Sequence, residues 1–205
     1  MTRIAVVDHG AGNLVSIAQG LERAGADVAV VADPAGLNGA DGVVLPGVGT
    51  TGAAMDRLAG AGMVEPLRAW PGPLLGICVG LQLFFEHSEE DGTDALGLIA
   101  GRVQRLEDAP LLPHIGWNDV LFKPDPLFAG VATDATFYFV HSYVVVPEDD
   151  SSTVVAETEY GTRFAAAVRS GRRVGVQFHP ERSGSSGLRM LANFVEECAG
   201  NSNVA

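Results

Sequence analysis

The sequence predicts an α/β fold of three layers: a mostly parallel central sheet, flanking helices, and additional antiparallel strands. Three observations carry this. In the first half of the chain, short apolar runs alternate with stretches of helical spacing, as in parallel βα units. After Gly97 short strand-like runs follow one another with turn residues between them, which adds antiparallel pairs. A final amphipathic stretch, Gly187 to Glu197, closes the fold with a helix.

Taken in order, Arg3 to Asp8 is a continuous apolar strand. It runs into Asp8-His9-Gly10-Ala11-Gly12-Asn13, after which Leu14, Ile17, Ala18 and Leu21 recur at helical spacing up to Gly25. The glycine pair lacks the third glycine of a dinucleotide fingerprint, because Val15 stands there, and no phosphate-binding P-loop occurs in the chain. Asp27 to Val31 and Gly42 to Leu45 are the next two strands. The latter enters Pro46-Gly47-Val48-Gly49-Thr50-Thr51-Gly52, which reads either as a plain turn into a helix or as a loop whose amides face a ligand. Leu74 to Ile77 is a buried strand, and the helical stretch behind it is expected to reach the polar run His87 to Asp94. Downstream strands are expected at Arg102–Leu106, His114–Phe122, Phe137–His141, Tyr143–Val146, Thr153–Glu159 and Phe164–Val168. A turn at Ser170-Gly171-Arg172 then leads to a strand from Arg173 to Phe178. A single domain over residues 1–199 and a frayed tail over 200–205 are expected.

Composition narrows the function. With a formal net charge of −12 and one lysine, Lys123, the chain lacks the clustered cations that a nucleic-acid or anionic-membrane partner requires. Cys78 and Cys198 are far apart and form no CxxC pair, which argues against a disulfide framework or a zinc site and for a reducing, cytoplasmic home. An acidic residue, Asp8, comes too early for a secretory signal, and no apolar run reaches the ~18 residues of a membrane span.

The chemistry centres on Gly76-Ile77-Cys78-Val79-Gly80. A cysteine between glycines at a strand-to-helix junction matches a nucleophile elbow with sulfur in place of oxygen, although a buried core thiol fits this stretch equally well. A helix running on from it would favour the thiolate. A cysteine nucleophile needs a base and a group to orient that base. Of His9, His87, His114, His141 and His179, the last stands at the exit of a buried strand with Glu181 two residues on, across Pro180. A surface His-Pro turn is the plain alternative; a metal site is the poorer one, with no further ligands nearby.

Taken together, Gly76-Ile77-Cys78-Val79-Gly80-Leu81-Gln82 and Phe178-His179-Pro180-Glu181 resemble the class I, or triad, glutamine amidotransferases. The resemblance implies that fold, no cofactor and no metal, and glutamine hydrolysis by Cys78 as nucleophile, His179 as base and Glu181 as its orienting carboxylate. It further implies an oxyanion hole from the N–H of Val79 and, after a local peptide rearrangement, the N–H of Val48. Glutamine binding falls on Gly47, Gly49, Gln82, Glu90, Ser142 and Tyr143. Glu90 suits the substrate ammonium group, and a merely solvated acid is its alternative. Asp8 to Asn13, Pro46 to Gly49, and Ile115-Gly116-Trp117-Asn118 are similar to a narrower branch, the glutaminase subunits of imidazole glycerol phosphate synthases. That likeness implies a heterodimer with a cyclase subunit, with Asn13, Trp117 and Asn118 at the interface. The rivals are a glutaminase serving another synthase, such as pyridoxal phosphate synthase, and a non-catalytic regulatory subunit.

Overall fold

The structure is a computed structural model and describes residues 1–201. Its strands are β1 (Arg3–Val7), β2 (Asp27–Val31), β3 (Gly42–Gly47), β4 (Leu74–Cys78), β5 (His87–Ser88), β6 (Thr93–Asp94) and β7 (Gly101–Arg105), continuing with β8 (His114–Asp119), β9 (Leu121–Phe122), β10 (Thr136–His141), β11 (Tyr143–Pro147), β12 (Val154–Tyr160), β13 (Thr162–Ser170) and β14 (Arg173–Val176). The α-helices are α1 (Leu14–Arg23), α2 (Thr51–Gly60), α3 (Val64–Arg68), α4 (Val79–Gln82), α5 (Asp150–Thr153) and α6 (Gly184–Asn201).

The main sheet has eight strands in the order β2-β1-β3-β4-β14-β13-β12-β9. From β2 to β14 the pairs are parallel, and from β14 to β9 they are antiparallel. The inner parallel strands β1, β3 and β4 are buried apolar runs, as expected where both faces are covered, whereas the edge strand β2 is partly exposed. The step from β1 to β2 crosses the sheet one way and the step from β3 to β4 the other, so right-handed crossovers place α1 and the α2–α3 pair on opposite faces. Smaller sheets, β11-β7-β5-β6 and β10-β8, add to this core. Within the described residues, no helix is long and apolar enough to cross a membrane.

Several elements depart from the expectations. The helix after the elbow is one turn long and does not run toward His87. The carbonyls of Leu83, Phe84 and Phe85 accept from the amides of Leu96, Leu98, Ile99 and Gly97 instead, which bends the chain and buries both phenylalanines. The polar run beyond it holds the small β5–β6 hairpin rather than only loop. β3 runs through Pro46 and Gly47, beyond Leu45; Pro46 pairs in register with Ile77 although it has no N–H to give. The expected strand His114–Phe122 divides at Val120 into β8 and β9, which pair with different partners. β14 ends at Val176, because Gln177 N–H turns to the Ala166 carbonyl and His179 N–H to the Tyr138 carbonyl. The last helix starts at Gly184 rather than Gly187 and reaches Asn201; the frayed tail expected there lies, from Ser202 onward, outside the described residues.

Candidate active site

Cys78 ends β4 with φ 55° and ψ −109°, a left-handed conformation that costs a non-glycine residue about 1–3 kcal/mol. Close packing holds it there. A Cβ on Gly76 would meet the Gly80 carbonyl oxygen at 2.6 Å, and one on Gly80 would collide with the carbonyl of Leu45 on β3. The glycines of the elbow therefore let α4 sit directly on the sheet. The short α4 carries little macrodipole, so the expected helix field at Cys78 is replaced by individual donors.

His179 follows β14, the strand beside β4. Its Nδ1 lies 2.9 Å from Glu181 Oε1, and both side chains are buried. Since a carboxylate accepts, Nδ1 carries a proton and Nε2 is the nitrogen left for Cys78. Burial by itself lowers the pKa of His179, but Cys78 and Glu181 outweigh it and raise the pKa to about 10. Nε2 makes no hydrogen bond to the described residues and is left facing Cys78, which is among the groups that raise the pKa of the ring. Imidazole, carboxylate and thiol thus stand together at the ends of adjoining strands.

Beside Cys78 is a cavity of about 240 Å3 lined by Val48, Gly49, Val79, Gln82, Glu90, Val140, His141, Ser142 and Tyr143. Of the sequence-predicted substrate contacts only Gly47 is absent from this lining; it is buried beneath, where a Cβ would meet Val79 Cβ at 2.8 Å. Glu90 is not a solvated acid. Its Oε2 accepts from the Thr51 amide at 3.1 Å; burial raises its pKa, the Thr51 amide opposes this and Asp91 adds to it. Gln82 Nε2 donates to the Tyr143 carbonyl at 3.0 Å and to Gln177 Oε1 at 3.3 Å. Val140 and His141 line the cavity without having been assigned there.

The remaining histidines resolve into structural roles. His9 Nε2 donates to the Pro46 carbonyl at 2.6 Å, anchoring the root of the glycine loop. His87 is exposed beside Asp94. His114 Nδ1 donates to His141 Nε2 at 3.1 Å, and His141 Nδ1 donates to the Tyr143 carbonyl at 3.0 Å. Desolvation lowers the pKa of His114 to about 4. Desolvation and then the neighbouring His114 lower that of His141 to about 3, with the Tyr143 carbonyl opposing and His179 adding slightly. Cys198 is a core thiol packed at Gly42, its pKa raised by burial.

The residues expected at an interface are scattered in role. Asn13 caps α1 by accepting from the Ser16 amide, and Asn118 donates to the Glu159 carbonyl at 2.8 Å. Trp117 is 57% exposed and Ile115 is 59% exposed on the same face of β8, an apolar strip open to solvent. Sequence reasoning passed over Gln177, whose Nε2 donates to Cys78 Sγ at 3.6 Å. The available signal was a lone polar residue in the apolar run Val174-Gly175-Val176-Gln177-Phe178.

Comparison with known proteins agrees with this geometry. Residues 5–198 match the family model of glutamine amidotransferase class-I. The chain is 48% identical over 199 residues to the imidazole glycerol phosphate synthase subunit HisH of Xanthomonas euvesicatoria pv. vesicatoria, covering 96% of this chain and 98% of that one. It is 50% identical over 202 residues to the protein of the same name from Synechococcus sp. (strain JA-3-3Ab), covering 95% and 93%. Among solved structures, a candidate GMP synthase component from Thermoplasma acidophilum matches with a TM-score of 0.79 at 24% identity, over 100% of this chain and 97% of that one, a likeness of fold.

Proposed function

We propose, from the premise that this chain belongs to the class I glutamine amidotransferase family, that it hydrolyses L-glutamine and passes the ammonia to a cyclase subunit. The pair makes imidazole glycerol phosphate and aminoimidazole carboxamide ribotide in histidine biosynthesis, in the cytoplasm. The observation that carries the reading is the junction of a strained Cys78, the buried His179–Glu181 pair and a cavity lined by Gln82, Glu90, Gly49, Ser142 and Tyr143.

In the first half-reaction the proton of Cys78 resides on His179 Nε2, as the raised pKa of that imidazole requires, and the thiolate attacks the substrate's carboxamide carbon. Glu181 holds the imidazole ring and stabilises its charged form. The oxyanion that develops is met by the N–H of Val79, the first residue of α4, and by that of Val48. Collapse of the adduct releases ammonia with the proton from His179 and leaves a glutamyl thioester. His179, now neutral, takes a proton from water, which cleaves the thioester to glutamate and restores the thiolate beside the charged imidazole.

Glu90 receives the ammonium group of glutamine, and Gln82 with the Ser142–Tyr143 backbone receives its polar groups. The cyclase docks on the face that carries Trp117, Asn118 and Asn13, to which the exposed Trp117 and Ile115 of β8 contribute apolar area. The acidic chain suits a basic face on that partner.

The test is glutamate release by this chain with a panel of purified synthases and their ligands. Strong stimulation by the imidazole glycerol phosphate cyclase supports the assignment. Stimulation only by another synthase, such as one making pyridoxal phosphate, would transfer the chain to that partner.

A further inference from the structure

Gln177 is fully buried at the exit of β14, and its carboxamide can be oriented by elimination. The Tyr143 carbonyl only accepts, so Gln82 presents Nε2 to it at 3.0 Å. The second N–H of the same group points to Gln177 at 3.3 Å and requires an acceptor, which fixes Oε1 of Gln177 on that side. Nε2 of Gln177 is therefore turned to Cys78 Sγ, 3.6 Å away, and can only donate. The sulfur also faces the Val140 carbonyl at 3.8 Å, an acceptor that favours the neutral thiol.

We propose that Gln177 is a catalytic residue: its carboxamide N–H, held in place by Gln82 and Tyr143, stabilises the sulfur anion of Cys78 for attack. The proposal rests on the reading of Cys78 as nucleophile. It supplies the donor that the one-turn α4 is too short to provide as a helix field. It also ties the nucleophile to a substrate contact, since Gln82 lines the cavity and aims the donor. The anion is favoured by charge-assisted bonding from one side and by His179 from the other.

The experiment measures alkylation of the full chain by iodoacetamide across pH, with Cys78 and Cys198 separated by peptide mass spectrometry. Other titratable groups facing this region are His179, with Glu181 behind it, and His141 and Glu90 in the cavity, with His114 behind His141. They are unchanged between native chain and variant. Gln177→Met, which keeps length and loses the donor, is expected to move the Cys78 midpoint up by about one to two pH units. Its kcat with the activating synthase should fall by about ten- to a hundredfold, with KM little changed. A merely structural Gln177 would raise KM and leave the alkylation midpoint where it was, and that result overturns the proposal. If the variant does not melt cooperatively, the native chain decides. The Gln177 side-chain amide NMR signal should then shift with the same midpoint as Cys78 alkylation, and stay flat in Cys78→Ala; a flat signal in the native chain overturns the proposal. Retention of glutamine hydrolysis by Cys78→Ala would instead remove the nucleophile assignment itself.

Discussion

Gly47 and Cys78 are register partners at the carboxyl ends of the adjacent parallel strands β3 and β4. The glycine loop and the Cys78 thiol consequently leave the sheet at the same level, where ligands of open α/β sheets bind. His179 leaves β14 on the other side of β4, so one strand end brings loop, thiol and base together.

Replacing the nucleophile separates the two half-reactions. Cys78→Ala is expected to lower glutamine-dependent synthesis by about 10³-fold or more, while synthesis from added ammonia by the complex stays largely intact. Steady-state assays with each nitrogen source check this.

Glu181→Gln is expected to reduce kcat by about 10²–10⁴-fold, because an amide can no longer hold the imidazole's charged form. The same change alters stability with pH. The folded His179 pKa of about 10 lies above the ordinary ~6.5, so its contribution is full below pH ~6.5 and is lost as pH rises toward 10. Urea unfolding between pH 7 and pH 10 should show a shallower alkaline decline in the variant than in the native chain.

Acid should act through another pair. His114 and His141 stay neutral in the fold down to about pH 4 and about pH 3, whereas in the unfolded chain they take up protons near pH ~6.5. The unfolded state binds more protons in this window, so stability falls with acidification from pH ~6.5 toward pH 4, by up to a few kcal/mol. His114→Phe, which can still stack on Tyr160 and Phe139, should flatten that decline in thermal melts.

The Cys78 elbow and the His179–Glu181 pair were legible in the sequence because each sits in a short segment whose spacing is local. The bend after Gln82 was not: it depends on amides from Leu96 to Ile99 reaching back to Leu83–Phe85, pairings that no local spacing encodes. Glu90 was reached only through the resemblance, because the acidic run around it also reads as solvated; its bond from the Thr51 amide and its place in the cavity lining come from residues distant in sequence. Gln177 was hidden for a similar reason, since its partners Gln82 and Cys78 come from a distant part of the chain.

Glu90→Gln keeps an acceptor for the Thr51 amide but removes the charge in the cavity. KM for glutamine is expected to rise about tenfold to a hundredfold, with kcat much less affected. Initial rates over a range of glutamine concentrations separate the two.

Gly80→Ala tests the elbow's packing. The added methyl would meet the Leu45 carbonyl, so the variant should lose about 1–3 kcal/mol in urea unfolding and most of its glutaminase activity. Native stability in this variant would show that α4 can sit off the sheet.

Attack by Cys78 on the side-chain carboxamide carbon of glutamine should leave a covalent trace. Its most direct test treats the complex with a glutamine analogue bearing an electrophile at that carbon, then maps the adduct by mass spectrometry. One covalent adduct is expected, on Cys78, formed in step with loss of glutaminase activity and blocked by L-glutamine. An adduct at another residue accompanying the loss, or full inactivation with Cys78 unmodified, would contradict it.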